Sequence, residues 1–346
     1  MIAARGATFA EIDVLASDAE KLHAVITADC SGAHEFDDAI SVAPLPMDEE
    51  TYRVNVFAVD TSKLYFDEQI IRRAMTYTAS RYGSEQDYRP MLDRDLTQRL
   101  HFAQNRVKSA LNISFIVGVN TPPSDVRLGF GRVEVARNLT YKTFGEKCRY
   151  SPGFENYGRA AAILIKHLNF NPTTSEETGA EFEKTYGNLI HVPKSEAWKR
   201  GNSINQTFMI AANYLVGRTL KETDELAIYR AHDTTSDDML EVFSPAVARY
   251  TTVPAPHDGL GLDVYARVTS PLRRLEDFVN LGLIRQRVRH GAVSPRDTKL
   301  TIGSVQRLNQ AVAAEQFSGQ LMLGRYDQRP SPQPRMNRAV LLSEIA

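Results

Sequence analysis

The sequence predicts a mixed α/β (α+β) fold, and three observations support this prediction. Short apolar segments near the N-terminus have the length and alternation of β-strands. Later apolar residues recur every three or four positions, which is typical of helices. The 346 residues, of which 42% are hydrophobic and 24% charged, allow a sizeable core. We expect one domain over residues 23–327, between a lead-in (1–22) and a proline-rich tail (328–346), because no internal repeat divides the chain.

Four β-strands are predicted from apolar or alternating segments. They cover residues 24–28, 39–42, 52–59 and 126–137. In the third segment, Val54, Val56 and Ala58 alternate with polar or aromatic neighbours, as in a strand with one buried face. The lead-in over residues 1–22 is expected to be helical or irregular.

Six helices are predicted from apolar residues at helical spacing. They cover residues 67–80, 154–168, 203–221, 235–243, 271–289 and 304–326. Pro271 suits the first turn of the fifth helix, where a missing N–H costs nothing. The proline-rich run after Arg329 ends regular structure, and residues 340–342 resemble a strand without a partner.

Bulk composition excludes several classes of protein. The net charge is −1, from 41 Lys+Arg and 42 Asp+Glu, so bulk charge does not indicate a nucleic-acid binder. No stretch approaches the roughly 18 apolar residues of a membrane helix, and the N-terminus does not resemble a signal peptide, so a cytoplasmic location is expected. The two cysteines, Cys30 and Cys148, form neither a disulfide framework nor a zinc site, so any metal should be held by oxygen.

An acidic run between two predicted strands is the first candidate for a functional site. It holds four carboxylates within ten residues, namely Asp29, Glu35, Asp37 and Asp38. Their mutual repulsion favours binding of a divalent cation, and oxygen ligands select magnesium or manganese. The alternative is a solvated acidic loop. Phe36, which lies among the acids, favours the metal site, because an apolar side chain is poorly placed on a solvated face.

The sequence lacks the residues that several other kinds of functional site require. A calcium loop would need an oxygen donor and a glycine where Ala33 and His34 stand. Asp60 in Val59–Ser62 lacks the second copy that an aspartic protease needs, so a structural role is expected. Serine hydrolases, nucleotide triphosphatases and dehydrogenases are excluded, because their nucleophile elbow, phosphate loop and dinucleotide fingerprint are missing.

The second candidate is the arginine-rich segment Tyr265–Arg274, which is predicted to open a helix. A helix start offers free N–H groups and a positive dipole end, which suit a phosphate. In the alternative interpretation, Thr269 or Ser270 caps the helix and the arginines are solvated. Combined with the acidic run, the segment makes chemical sense, because a guanidinium can support the charge that grows on a phosphate during hydrolysis.

Together, the two segments resemble the catalytic RNB domain of the ribonuclease II and ribonuclease R family. Asp29 and Glu35–Ile40 resemble its metal-binding run, and Tyr265–Arg274 resembles its Tyr-Ala-x-x-Thr-Ser-Pro-Ile/Leu-Arg-Arg/Lys signature. Weaker matches occur in the right order at Val59–Ser62, Pro90–Leu92, Leu139–Tyr141, Met209–Asn213 and Ile228–His232. The resemblance covers about residues 24–325.

This resemblance implies a mixed β-sheet surrounded by helices, with a central RNA channel. It also implies hydrolytic 3′-5′ digestion of single-stranded RNA to nucleoside 5′-monophosphates by two Mg²⁺ ions, with Mn²⁺ as a substitute. The implied metal ligands are Asp29, Glu35, Asp37 and Asp38. The implied catalytic residues are Asp37, Asp38 and Arg273, and the implied RNA contacts are Tyr77, Tyr265, Arg267, Thr269, Ser270, Arg274 and Glu315.

Several positions depart from the family pattern. Glu35 occupies a position where the family has aspartate. The position of the family's base-stacking tyrosine falls near Thr78 in this sequence, and Gln206-Thr207 replace expected glutamates. The flanking OB-type modules are not found, so a partner protein could supply them, and a monomer is expected. These departures leave two alternatives open: an RNA-binding or regulatory RNB-fold protein with weak or no nuclease activity, and a magnesium phosphohydrolase acting on small nucleotides.

Overall fold

The computed structural model describes residues 8–11, 25–46, 48–82, 88–170, 181–185, 188–192, 194–232 and 248–323. At its centre is a seven-stranded mixed sheet with the strand order β1-β6-β5-β4-β3-β2-β7. Its strands are β1 (Thr8–Glu11), β2 (Ile26–Asp29), β3 (Asp38–Leu45), β4 (Asp48–Val59), β5 (Val107–Gly118), β6 (Thr121–Glu134) and β7 (Arg137–Thr140). Strands β2 to β6 pair antiparallel, whereas β1 and β7 pair parallel with β6 and β2. The predicted mixed sheet is confirmed.

Helices and two small strand pairs complete the described fold. The pairs are β8 (Glu181–Thr185) with β9 (Asn188–Val192), and β10 (Tyr229–His232) with β11 (Ala248–Thr251). The helices are α1 (Glu68–Tyr77), α2 (Arg94–Leu100), α3 (Tyr141–Tyr150), α4 (Glu155–Leu168), α5 (Glu196–Glu222), α6 (Leu275–His290) and α7 (Pro295–Leu323). None of the helices within the described ranges combines the length and apolarity needed to cross a membrane.

The core lies on both faces of the sheet because side chains alternate along each strand. Val54, Val56 and Ala58 of β4 pack in a cluster with α3, α4 and α5. Phe57 and Val59 of the same strand pack in a second cluster with α1, α6 and α7. The sheet is therefore covered by helices on both sides, which leaves the strand ends as the place for polar chemistry.

Helix α6 is buried along most of its length. Every residue from Leu275 to Ile284 is buried, including the two acids Glu276 and Asp277. Gly282 lets the Tyr65 ring pack on the helix, since a Cβ there would lie 2.3 Å from Cδ2 of that ring. The buried acids need partners from elsewhere in the fold, and the arginine segment that precedes α6 provides them.

The structure corrects several predicted elements. The lead-in contains strand β1, and the long strand β5 was not predicted. Helix α6 begins at Leu275 rather than at Pro271, because the Ser270 and Leu272 N–H groups are bonded to carboxylates instead of entering a helix. The predicted elements at residues 235–243 and 340–342 lie outside the described residues.

Helices α5 and α7 begin earlier than predicted, and both starts have capping signals in the sequence. Ser195 accepts a hydrogen bond from the Trp198 N–H at the start of α5. At the start of α7, Ser294 and Asp297 exchange hydrogen bonds in the manner of a capping box, with Pro295 as the first helical residue. The early turns were missed because apolar spacing, rather than capping, set the predicted boundaries.

Helices α3 and α5 cross at a close contact between two glycines. A Cβ on Gly201 would lie 1.9 Å from the Tyr141 carbonyl oxygen, and a Cβ on Gly145 would lie 1.9 Å from the Ala197 carbonyl oxygen. Backbone atoms cannot rotate away as a flexible side chain can. The crossing therefore requires glycine at both positions.

We expect Gly201→Ala to lower the free energy of unfolding by about 1–3 kcal/mol, the usual cost of overpacking. The matched control is Gly303→Ala in α7, where the nearest atom to the added Cβ, Met75 Cε, is 3.5 Å away. That change should be neutral or stabilising by about 0.5–1 kcal/mol, because alanine is the better helix former. Urea unfolding of both variants measures the difference, and equal stability of the two would contradict the close crossing.

Candidate active site

The sheet brings the ends of the acidic run together. Asp29 ends β2 and Asp38 begins β3, and these strands are antiparallel neighbours. The loop between them turns at Gly32, whose φ of +78° favours glycine, and the Ala33 N–H donates to the Cys30 carbonyl. Both carboxylates therefore lie at the same edge of the sheet.

The acidic run is buried. Glu35, Asp37 and Asp38 are 5%, 2% and 6% exposed, respectively. Asp29 is partly exposed, but its Oδ2 atom is buried. The alternative of a solvated acidic loop is therefore wrong, and each of these charges must find a partner inside the fold.

Asp37 finds its partners in the arginine segment, 235 residues away in sequence. Its Oδ1 accepts a hydrogen bond from the Leu272 N–H at 2.7 Å, and its Oδ2 accepts from Arg273 Nε at 3.1 Å. Arg273 also donates from Nη2 to Ser270 Oγ at 2.9 Å. The structure therefore brings Asp37 and Arg273 together, as the two sequence motifs led us to expect.

The backbone N–H groups around the predicted helix start, Ser270 to Leu275, are engaged within the fold rather than free. The Ser270 N–H donates to Asp277 Oδ1 at 2.7 Å, and the Leu275 N–H donates to the Thr78 carbonyl at 2.8 Å. Arg274, the residue before the helix, donates to the same Asp277 oxygen at 2.8 Å. Neither Thr269 nor Ser270 caps the helix, so any phosphate here would be held by guanidinium groups.

A third segment, Thr78–Tyr82, lies between the acidic run and the arginines. Ala79 forms an isolated antiparallel bridge with Arg274, and the Ser80 N–H donates to the Arg273 carbonyl at 2.9 Å. Thr78 has a φ of +58°, which is unusual for a β-branched residue. Backbone hydrogen bonds to Ala74 and to the segment around Arg273 hold this strained conformation in place.

Glu35 is surrounded by hydroxyl groups. Ser80 Oγ donates to its Oε1 at 3.0 Å, the Tyr82 hydroxyl donates to its Oε2, and the Tyr88 hydroxyl also bonds to this carboxylate. The Tyr82 and Tyr88 rings stack at 5.8 Å, and Tyr88 stacks on His34 at 4.5 Å. The sequence analysis missed both tyrosines, because only the folded chain brings them to Glu35.

Comparison with known proteins identifies the family. The model of the RNB domain matches residues 18–247 and 239–290. The chain belongs to the RNB domain family. Exoribonuclease 2 from Sodalis glossinidius is 36% identical over 79 residues, and that from Edwardsiella piscicida is 34% identical over 89 residues. These matches cover 23% and 25% of this chain but only 12% and 14% of the relatives, so the chain matches a small part of their length.

Solved structures share the RNB fold at low sequence identity. RNase R of Mycoplasma genitalium in complex with double-stranded RNA has a TM-score of 0.70 at 14% identity, over 92% of this chain and 67% of that chain. Yeast Ssd1, described as a pseudonuclease, has a TM-score of 0.64 at 14% identity, over 88% of this chain and 44% of that chain. Identities this low establish the fold alone, and the fold occurs with and without nuclease activity.

Burial sets the protonation of the acids in this RNB domain. Burial, followed by repulsion from Asp38, raises the pKa of Asp29 well above its usual value, against the attraction of Arg273. Burial also raises the pKa of Asp38 to about 6. The pKa of Asp37 is raised to about 8 by burial and by Glu35, although Arg273 and the Leu272 N–H oppose the shift. The site thus disfavours its own negative charge unless a further cation enters.

Two buried oxygen atoms in the site have no hydrogen-bond donor, namely Asp29 Oδ2 and Asp38 Oδ2. Asn205 of α5 bonds to Asp38, and the buried Tyr141 lies close enough to both acids for their charge to raise its pKa. Within the described ranges, no three His, Cys, Asp or Glu side chains are arranged to hold a metal. The two donor-free oxygens of Asp29 and Asp38 are of the type that a hard divalent cation prefers, whereas Glu35 and Asp37 are engaged by other donors.

The implied RNA contacts fall into two groups. Tyr265, Thr269 and Ser270 are only 3%, 1% and 1% exposed, and Asn213 bonds both the Tyr265 hydroxyl and Thr269 Oγ1. These three buried residues support the arginine segment, and their direct contact with RNA stays a prediction. The second group is more accessible: Tyr77 is 41% exposed, and the side chains of Arg267 and Arg274 are 20% and 19% exposed. The side chain of Glu315 lies outside the described residues.

We expect the midpoint of thermal unfolding to fall as the pH rises from about 5 to about 8 in a chelator. The folded pKa values of Asp38 and Asp37, about 6 and about 8, lie above the unfolded value near 3.9, so the folded state binds more protons in this window. Stability is therefore greatest at about pH 5 and decreases as the pH rises through the folded pKa values. Scanning calorimetry at several pH values measures the slope.

Asp38→Asn should remove the part of this slope near pH 6. Asp125→Asn is the matched control. Burial alone would raise the pKa of Asp125, but hydrogen bonds from Arg127 and Arg53 outweigh it and lower this pKa. Asp125 is therefore charged throughout the pH range of the experiment. A wild-type midpoint that rises steadily between pH 5 and 8 would contradict the raised pKa values.

Proposed function

We propose that this RNB domain is a Mg²⁺-dependent 3′-5′ exoribonuclease that hydrolyses single-stranded RNA to nucleoside 5′-monophosphates. The observation that carries the proposal is the contact of Leu272 and Arg273 with buried Asp37, beside two carboxylate oxygens that have no donor. A buried acidic pocket with a guanidinium at its edge suits phosphodiester hydrolysis. The Exoribonuclease 2 relatives support the same activity.

Asp29 and Asp38 are the residues that would hold the cation, because their free oxygens are the ones left without donors. When bound, Mg²⁺ supplies a water of lowered pKa and neutralises phosphate charge. Asn205 fixes the Asp38 carboxylate, and Thr27 bonds to Asp29. Both ligands are therefore oriented before any cation binds.

Arg273 would stabilise the phosphate as the reaction proceeds. Its guanidinium has five N–H donors, of which Nε is engaged by Asp37 and one on Nη2 by Ser270. The side chain is 36% exposed, so the remaining donors are accessible to RNA. In the reaction, a water oxygen bonds to phosphorus and the P–O3′ bond breaks. The 3′ oxygen takes up a proton, and the terminal nucleotide leaves with the 5′-phosphate.

A second candidate function is RNA binding without efficient hydrolysis. The hydroxyl groups around Glu35 favour it, because they engage a carboxylate that the family pattern uses for metal. The pseudonuclease Ssd1 shows that the fold occurs without nuclease activity. Under either function, the predictions of a cytoplasmic monomer and of a partner that supplies RNA-binding modules still stand as predictions.

Incubation of 5′-labelled single-stranded RNA with Mg²⁺ or Mn²⁺ should give a ladder of shortened products. Arg273→Ala should slow turnover by roughly a hundredfold but weaken RNA affinity by less than about tenfold, because its main contact forms in the transition state. Arg287→Ala is the control, since this α6 arginine pairs with Glu225 at 2.7 Å, outside the acidic site. Equal losses of turnover and affinity in Arg273→Ala would rule out the assigned role.

Asp37→Asn should abolish the ladder. Tight RNA retention by the wild-type chain without shortening would favour the second candidate. Hydrolysis of small nucleotides with intact RNA would instead support a magnesium phosphohydrolase.

Mn²⁺ at pH 8 should raise the unfolding midpoint of the wild-type chain. Binding at a hundredfold excess over the dissociation constant stabilises a protein by about 2.7 kcal/mol. The gain should vanish in Asp29→Asn and Asp38→Asn and should persist in Glu35→Gln, because Glu35 is engaged by hydroxyl groups. Loss of the gain in Glu35→Gln as well would show that Glu35 is a ligand, which would overturn the assignment of the cation to Asp29 and Asp38.

A further inference from the structure

A pair of arginines lies beside the candidate active site. Arg230 is in the middle of β10, and Arg267 is in the arginine segment. Their backbones are tied together, because the Arg230 N–H donates to the Tyr265 carbonyl at 2.9 Å. Asn280 of α6 donates to both the Ile228 and Arg267 carbonyls at 2.9 Å. The fold therefore holds two like charges close together on a rigid frame.

The two guanidinium groups repel each other. The presence of Arg267 is the largest cause that lowers the pKa of Arg230, ahead of burial. Arg267 has a carboxylate partner in Glu276, at 3.4 Å, but Arg230 makes no side-chain hydrogen bond or ion pair within the described ranges. The repulsion is thus only partly compensated.

The charges around this pair do not balance. Three arginines, Arg230, Arg267 and Arg274, surround two buried carboxylates, Glu276 and Asp277. Asp277 is engaged by Arg274 at 2.8 Å, and Glu276 accepts from both Arg267 and the Tyr250 hydroxyl. Among these described residues, one positive charge is left over, on Arg230, whose side chain is half-buried.

The same cluster contains buried polar atoms without hydrogen-bond partners. The Nε atoms of Arg230 and Arg267 are buried and have no hydrogen-bond acceptor. His257, only 7% exposed, leaves both ring nitrogens without partners. Burial, with Arg230 as the next cause, lowers the pKa of His257 to about 3, so the ring is neutral and can donate from one nitrogen. Among the described residues, no acceptor reaches these four nitrogens, although buried polar groups are normally hydrogen-bonded.

We propose that Arg230 and Arg267, with the neutral ring of His257, form a binding subsite for a phosphate group. A phosphate supplies the missing negative charge and several acceptor oxygens, and paired guanidinium groups match its geometry. Either a phosphodiester of the RNA chain or a free phosphate monoester could supply this group. The RNA source rests on the proposed function, whereas phosphate binding itself does not.

Replacing Arg230 should lower the affinity for phosphate without lowering the stability of the fold. Arg230→Gln removes a charge that is repelled by Arg267, so the unfolding midpoint should stay constant or rise. The same change should weaken phosphate binding, because it removes the unpaired cation. A purely structural arginine would lower the midpoint when replaced, and this difference separates the two roles.

The test is fluorescence anisotropy of labelled oligoadenylate in EDTA, where no hydrolysis is needed, with thermal unfolding of the same samples. Arg230→Gln should weaken affinity roughly tenfold, as for a lost charge-assisted contact. The slope of affinity against salt should become shallower by about 0.7. Arg230→Lys should give an intermediate affinity. Arg127→Gln, a change of the same charge at a half-exposed arginine paired with Asp125, should change neither property.

Competition by inorganic phosphate and adenosine 5′-monophosphate distinguishes the two sources. Weaker oligoadenylate binding by Arg230→Gln indicates a phosphodiester of the RNA chain, and weaker competition alone indicates a free phosphate group. Unchanged affinity for all three probes would overturn the proposal, as would a lowered unfolding midpoint in both Arg230 variants. Intact phosphate binding without RNA shortening would contradict only the proposed exoribonuclease activity.

Discussion

Burial of the Asp37 carboxylate is the constraint on which the site depends. A carboxyl group that is 2% exposed must have its oxygens hydrogen-bonded, and its partners are the Leu272 N–H and the Arg273 guanidinium. To reach Asp37, the chain turns at Pro271 and enters α6 only at Leu275. The Arg273 carbonyl then accepts from Ser80, which brings in the segment that contacts Glu35. The contacts of one buried carboxyl group thus link three distant segments at one edge of the sheet.

The other charged groups near this contact differ in how well their polar atoms are hydrogen-bonded. Glu35 is satisfied by hydroxyl groups, whereas Asp29 and Asp38 each keep a buried oxygen without a donor. On the other side of the arginine segment, Arg230 has no ion pair with a carboxylate in the part of the chain that the structure describes. The site therefore has an excess of negative charge at the sheet edge and an excess of positive charge beside β10. An RNA phosphate accompanied by a divalent cation would balance both.

Sequence reasoning predicted the fold class and the two segments that meet, because strand alternation and clustered charge are local signals. It did not predict which acids stay free, because the donors that engage Glu35 come from Ser80, Tyr82 and Tyr88. The sequence also did not predict the burial of Tyr265 and Thr269, since their hydrogen-bond partner Asn213 is far away in sequence. The start of α6 was misplaced because propensity favours a helix from Pro271, but buried carboxylates take the N–H groups. Tertiary contacts of this kind leave no periodic signal in the sequence.

The most direct measurement is the anomalous difference map of a crystal soaked in Mn²⁺ at neutral pH. We expect a peak in contact with Asp29 and Asp38, with Arg273 still bonded to Asp37 and Glu35 still bonded to its hydroxyl donors. A peak on Glu35 that displaces Tyr82 and Ser80 would contradict it. So would a fully occupied ion that leaves the Asp29 and Asp38 oxygens untouched.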